Sequence, residues 1–194
     1  MYDWFDKMNE HLRKIFSSRQ KNKLIDKNLK TAAVLVPLFN DGKEYHVLLT
    51  QRSNDVLLHK GQISFPGGKP HKTDSNLLDT ALRESWEEIG LEPKDAQIIG
   101  ELDDTPTKVS GFIISPFVAL IPHPYKFIKN PREITEILLV PLSVLMDNSN
   151  FNQEPMDSDG MPNYTYECNG QIIWGATARI IKQLLDTLRA ASGA

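Results

Sequence analysis

The chain lacks several things whose absence narrows what it can be. It has a single cysteine, Cys168, so no disulfide can form within it, and that usage suits a reducing compartment. Nothing beside Cys168 would activate a thiol, and it reads as a small, inert strand residue. Positive charge is not in excess: 22 Lys and Arg stand against 25 Asp and Glu. General nucleic-acid binders usually carry a basic surplus, so nucleic acid is not expected as a partner. A small anionic substrate stays open, because local charge and not net charge makes its site. No apolar run approaches the roughly 20 residues of a membrane span. Asp3, Asp6 and Glu10 interrupt the N-terminal segment, and no small-residue cleavage site follows an apolar run, which argues against a signal peptide. There are no internal repeats and no low-complexity tract. The expectation is a cytoplasmic protein without a membrane partner, organelle import being left open.

What is present suits one compact domain: 194 residues, 40% of them hydrophobic. Trp4, Phe5, Met8, Leu12, Ile15 and Phe16 recur at helical spacing and predict an amphipathic helix over residues 3–16. Residues 17–30 are polar and basic and read as a linker. Strands are expected at 31–39 and 45–50, around the hairpin pair Asp41-Gly42, and at 97–102, 113–121 and 134–140. Segment 66–74, with Pro66, Gly67 and Gly68, reads as a loop. Asp74 or Ser75 could cap a helix that runs to Ile89 and stops at Gly90. One or two helical turns are expected at 141–146, then a long loop over 147–163. A second hairpin over 164–174 turns on Asn169-Gly170. A final helix spans 176–190, with Ile180, Ile181, Leu184, Leu185 and Leu188 as its apolar stripe. Strands with long loops and few helices point to an α+β sandwich.

The segment from 67 to 91 concentrates the chemistry. On a helix Glu84, Glu87 and Glu88 fall at i, i+3 and i+4, so three carboxylates share one face and repel. Divalent cations would neutralise them, since hard cations prefer carboxylate oxygen and Mg²⁺ takes one or two carboxylates plus substrate phosphate. A solvated acidic face explains the same spacing, with Leu78, Ala81, Leu82, Trp86 and Ile89 burying the other side. The spacing alone leaves both readings open.

The surrounding pattern resembles the Nudix box. Arg83, Glu84, Ser85, Trp86, Glu87, Glu88, Ile89 and Gly90 follow its second half closely, with Ser85 in the usual apolar slot. Its earlier acidic position falls on Ser75, while the nearest acid is Asp74. Leu48, Leu49, Thr50, Arg52, Ser53, Gly61, Phe65, Pro66, Gly67 and Gly68 further resemble the coenzyme A diphosphatase branch. So do Thr107, Ser110, Gly111 and Phe112 ahead of Pro116-Phe117-Val118, and the run from Ile173 to Thr177. Two positions depart. The second arginine of that branch is Leu57 here, and His71 stands where an acid is frequent.

The resemblance implies a Nudix fold, a mixed β-sheet sandwiched between α-helices, over 31–190, with 1–30 as an N-terminal helix and linker. It implies Mg²⁺ or Mn²⁺ as cofactor. Glu87 and Glu88 would be metal ligands, Glu84 a ligand or the base, Gly68 a backbone-carbonyl ligand, and Gly67 and Gly68 part of the substrate loop. Arg83 would orient Glu84. Arg52 is either a phosphate contact or half of a strand-end ion pair. His59 is a substrate contact or a surface residue, and His71 a metal ligand or a loop histidine. Glu133 or Glu136 would add a catalytic acid from downstream, although each alone could be structural. The expected partner is a small nucleotide diphosphate, and a homodimer stays open. The implied reaction is hydrolysis of coenzyme A or acyl-CoA to 3',5'-ADP and 4'-phosphopantetheine. Hydrolysis of ADP-ribose or nucleotide sugars is the alternative, and a non-catalytic Nudix-like binding domain is a third.

Overall fold

The computed structural model describes residues 2–53, 61–107, 110–156 and 160–192, with side chains from residue 7 to 190. Leu57 and His59 lie outside the described residues.

Helix α1 (Tyr2–Ser17) packs through Leu12 and Phe16, both buried. Each such side chain contributes about 1.5–3 kcal/mol on leaving water. Residues 18–29 have no regular structure, as a connector should, yet they are fastened. Lys21 Nζ lies 2.9 Å from Glu101 and 2.7 Å from Asp104, Arg19 pairs with Asp103 at 2.7 Å, and Asn22 and Asp104 share a backbone hydrogen bond of 3.1 Å. The segment is thus an arm laid along the domain.

Strands β1 (Lys30–Asn40) and β2 (Tyr45–Arg52) form the first hairpin. They pair only over 38–40 and 45–47 and then separate. Into the fork run β3 (Ile63–Ser64), which pairs with β2, and β4 (Gly67–Gly68), which pairs with β1. Segment 66–74 therefore begins as a sheet strand, where a loop was expected, because the Phe65-Pro66 bend delivers two glycines to β1 with Pro66 O accepting from Leu35 N at 2.9 Å. Helix α2 (Leu77–Ile89) follows. After it come β5 (Gln97–Glu101), β6 (Thr105–Pro106), β7 (Phe112–Leu120) and β8 (Ile134–Pro141). Strand β7 runs parallel to β1, β5 and β6 are antiparallel to β7, and β8 is antiparallel to β2. Among the described residues this makes one eight-stranded mixed sheet.

A short helix, α3 (Leu142–Met146), leads to a second sheet of β9 (Phe151–Glu154), β10 (Asn163–Cys168) and β11 (Gln171–Trp174). Strand β9 falls within the expected long loop. Its sequence, Phe-Asn-Gln-Glu, has one apolar residue and gave no strand pattern. Asn169 and Gly170 take φ of 52° and 76°, as a two-residue turn with both centres left-handed requires. Helix α4 (Gly175–Ser192) closes the chain.

Alternation along the strands separates two cores. Val34, Val36, Leu38, Val47, Leu49, Val118 and Leu120 face α1, α4 and the small sheet. Ala33, Leu35, Leu48, Phe117 and Ala119 face α2 through Ala81 and Ile89. No described helix is long and apolar enough to cross a membrane.

Candidate active site

Helix α2 begins one or two residues later than the sequence suggested. Asn76 is its cap, accepting from Asp79 N at 3.0 Å, and Gly90, at φ 69°, ends it by donating to Trp86 O. Asp74 is thereby free for another task. Its Oδ1 accepts from Arg83 Nε at 2.9 Å, and its Oδ2 accepts from Arg83 Nη2 at 3.0 Å, His71 N at 2.8 Å and the Thr80 hydroxyl at 2.9 Å. The bidentate fork fixes the guanidinium plane. The far side of that plane reaches Glu84 and Glu87, both at 2.9 Å from Nη1, and Nη2 also donates to Lys69 O. Arg83 first, and then the His71 N–H and the Thr80 hydroxyl, hold Asp74 well below the usual carboxylate range, and Asp74 in turn raises Arg83.

The acidic face is graded in exposure. Glu87 is 41% exposed, Glu84 17% and Glu88 2% at the side chain. Ser85 is buried, and its hydroxyl donates to Ala81 O at 2.7 Å, which lets a polar residue fill an apolar slot. Trp86, expected to bury, is 55% exposed; one position along the helix from Ser85, it points out from the sheet while Ala81 and Ile89 point in.

Glycine is required where the face meets β4. A Cβ on Gly68 would lie 2.5 Å from Glu84 Cδ, so the carboxylate rests against bare backbone. Gly67 has φ 154°, and a Cβ there would overlap β1 backbone at Ala33 O and Val34 Cα. Gly67 N donates to Glu88 Oε2 at 3.2 Å. Arg52, at the end of β2, brings Nη1 to 3.5 Å from Glu88 Oε1, while its buried Nε has no hydrogen-bond partner among the described residues. The structure thus shows the strand-end ion pair, with hydrogen-bonding capacity left on the guanidinium.

Glu133 and Glu136 are sent different ways. Glu133, just before β8, takes a 3.0 Å hydrogen bond from Asn130 Nδ2 and lies near enough to raise both Glu84 and Glu88 by its charge. Glu136 faces out of β8, accepts from Gln171 at 3.4 Å and lines a separate cavity of about 170 Å³ beside the β10–β11 hairpin. Strand alternation does not reach Glu133, which sits in the turn before β8 with its N donating to Asn130 O and its O accepting from Ser53 N, whereas Glu136 lies within β8 opposite Gln51. His71 is exposed and engaged with Thr73 at 2.9 Å, as a loop histidine. Cys168 is buried in β10, and burial raises its thiol.

Burial first, and then the charges of Glu84 and Glu133, push Glu88 up to about 8, against the pull of Arg52 and the Gly67 N–H. Burial likewise raises Glu84. Carboxylates that raise one another around a glycine floor form a site short of positive charge, and their hard oxygens suit Mg²⁺ or Mn²⁺. Among the described residues no three such groups converge on one point: Arg83 Nη1 gathers Glu84 and Glu87, while Arg52 and the Gly67 N–H draw Glu88. Mg²⁺ needs no such cage, since water and phosphate complete its shell. The donor set therefore fits a divalent ion, with Glu84, Glu87 and Glu88 as the groups able to hold it.

A mixed sheet between helices, with a Gly-Gly strand set against an acidic loop–helix–loop, is the Nudix architecture. The NUDIX domain family profile matches residues 29–158, and the chain belongs to the Nudix hydrolase family. A Nudix hydrolase of Photorhabdus laumondii designated NudL is 36% identical over 170 residues, covering 86% of this chain and 89% of that one. Its namesake from Pectobacterium atrosepticum is 37% identical over 159 residues, covering 80% and 81%. Among solved structures, the NUDIX domain of Shewanella oneidensis NrtR complexed with ADP ribose is similar with a TM-score of 0.55 at 18% identity, covering 84% of this chain and 90% of that one. A MutT/nudix family protein from Enterococcus faecalis reaches 0.57 at 15% identity, covering 88% and 66%. At those identities the likeness speaks for the fold alone.

Proposed function

We propose that the chain is a divalent-cation-dependent diphosphatase whose substrate is coenzyme A or an acyl-CoA, cleaved to 3',5'-ADP and (acyl-)4'-phosphopantetheine. One arrangement carries the reading. The fork of β2, β3 and β4, built from the residues that match the coenzyme A branch, sets Arg52 and the Gly67 N–H on Glu88 and lays Gly68 under Glu84.

In this reading a water oxygen attacks one phosphorus, the bridging P–O bond breaks, and the bridging oxygen leaves on the other phosphate. The water proton passes to Glu133, whose Oε1 is held by Asn130, leaving Oε2 to accept it. Glu84, Glu87 and Glu88, with the Gly68 carbonyl, would hold the metal. Bound Mg²⁺ or Mn²⁺ would lower the pKa of the attacking water and offset charge on the diphosphate. Arg83 orients Glu84 and Glu87 from its anchor on Asp74. Arg52, whose side chain is 26% exposed, would turn the accessible edge of its guanidinium to a substrate phosphate. Residues 31–190 make the catalytic domain, braced by the helix and arm of 1–30.

A second reading has one residue in its favour. Leu57 replaces the second arginine of the coenzyme A branch, and an aliphatic side chain cannot pair with phosphate. ADP-ribose or a nucleotide sugar would then be the better substrate. The two are separated by kcat/KM on coenzyme A, acetyl-CoA, ADP-ribose and a nucleotide sugar, each with Mg²⁺ and with Mn²⁺, products identified by mass. Preference for the coenzyme A pair supports the first reading; efficient cleavage of the others with coenzyme A untouched supports the second.

A further inference from the structure

The segment between β7 and β8 is docked on the end of α2 in a regular way. The last carbonyls of a helix have no partner within it. Here Ile128 N donates to Ile89 O and Asn130 N to Glu88 O, both at 2.9 Å. The chain then turns sharply, Asn130 O accepting from Glu133 N at 3.1 Å and Ile134 N at 2.9 Å. Ser53 N, at the end of β2, ties the far side by donating to Glu133 O at 2.7 Å.

Asn130 stands at the centre of this docking, with both ends of its side chain in use. Oδ1 accepts from Arg132 N at 3.2 Å, and Nδ2 donates to Glu133 Oε1 at 3.0 Å. Four of its contacts, one through N, two through O and one through Oδ1, dock and build the turn. The fifth, through Nδ2, acts only on a carboxylate that faces the acidic helix. An amide is the side chain of this length that supplies the acceptor and the donor together. Aspartate would keep the turn and repel Glu133, and alanine would lose both contacts.

We infer that Asn130 is a positioning residue: it fixes the Glu133 carboxylate relative to Glu84 and Glu88, taking its reference from the α2 backbone at Glu88. This rests on the proposed role of Glu133 as proton acceptor. The physical need is clear. Glu84 and Glu88 stand on a helix, whereas Glu133 stands on a turn, and a misplacement of about 1 Å can cost on the order of 100-fold in rate. A charge-assisted hydrogen bond from an amide anchored on the same helix removes that freedom.

The test is a double-mutant cycle on the full chain, measuring kcat and KM for coenzyme A with Mg²⁺, and Tm. Asn130→Asp should lower kcat by about 10–100-fold, the range for outer partners of metal-site carboxylates, with KM within about threefold and Tm nearly unchanged. Asn130→Ala should slow the parent but not a Glu133→Gln background, because its effect travels through Glu133. Additive losses in the double variant would overturn the inference, as would a parental kcat for Asn130→Asp, or a kcat loss that tracks a fall in Tm. A parental kcat for Glu133→Gln alone would overturn it together with the role of Glu133. Failure of the positioning link alone would leave Glu133→Gln slow.

Discussion

The Glu84 carboxylate occupies the space that any side chain at position 68 would need, 2.5 Å from where a Cβ on Gly68 would lie. The neighbouring glycine is constrained differently, by β1 backbone and by a φ of 154°. The two glycines should therefore fail in different ways. Gly68→Ala pushes on the far end of a flexible side chain. It is expected to fold with a near-parental Tm and to lose at least about tenfold in kcat, because Glu84 is displaced. Gly67→Ala strains backbone against backbone and should cost roughly 1–3 kcal/mol of stability or more. Thermal melts and steady-state rates on the two variants check the contrast, which equal losses of stability would contradict.

Asp74 is the anchor from which Arg83 reaches Glu84 and Glu87. Asp74→Asn keeps the shape and removes the charge that holds the fork. The expected result is a 10–100-fold loss of activity, the range for outer partners of metal-site groups. KM for Mg²⁺ should rise with it. An unchanged Mg²⁺ dependence would show that the fork does not serve the acidic face.

Glu88 gives a pH dependence with a definite sign. Its carboxyl moves from 4.5 in the unfolded chain to about 8 in the folded one, so between those values the folded state binds the extra proton. Without metal, stability should fall as pH rises from about 5 to 8, and every pH unit of displacement is about 1.4 kcal/mol. Chelated protein melted across that range should show the decline, and Mg²⁺ or Mn²⁺ should raise Tm more at pH 8 than at pH 6. A metal effect independent of pH would contradict the burial of Glu88.

Much of this was legible in the sequence, and the misses have physical causes. The stripe on α4 and the Asn169-Gly170 turn followed from periodicity and φ preference. The family resemblance drew the three helix glutamates together as a candidate site. Asp74 could be read as a cap or as a shifted acid, but not as a clamp, because Asn76 competes for the cap and only the folded loop shows which one takes it. Strands β3 and β4 are two residues each and owe their existence to the splayed β1–β2 fork, which no local pattern encodes. Glu133 and Glu136 looked alike until the turn at Asn130 set one of them toward the acidic helix. Asn130 drew no notice, since a lone loop asparagine carries no spacing signal.

In the proposed reading substrate preference depends on Leu57. A charge-assisted phosphate contact contributes about 1.5–3 kcal/mol, and about 1.4 kcal/mol is tenfold. Leu57→Arg is therefore expected to raise kcat/KM for coenzyme A by about 10–100-fold relative to ADP-ribose. No change in that ratio would mean that another group already makes the contact, or that the substrate does not need it.

The most direct measurement is hydrolysis of coenzyme A in H₂¹⁸O with Mg²⁺, products weighed by mass spectrometry, alongside the same reaction in excess chelator. The account expects 3',5'-ADP and 4'-phosphopantetheine, ¹⁸O in the phosphate of one of them, and no turnover once the metal is removed. Intact coenzyme A in the presence of Mg²⁺, or full turnover in chelator, would contradict it.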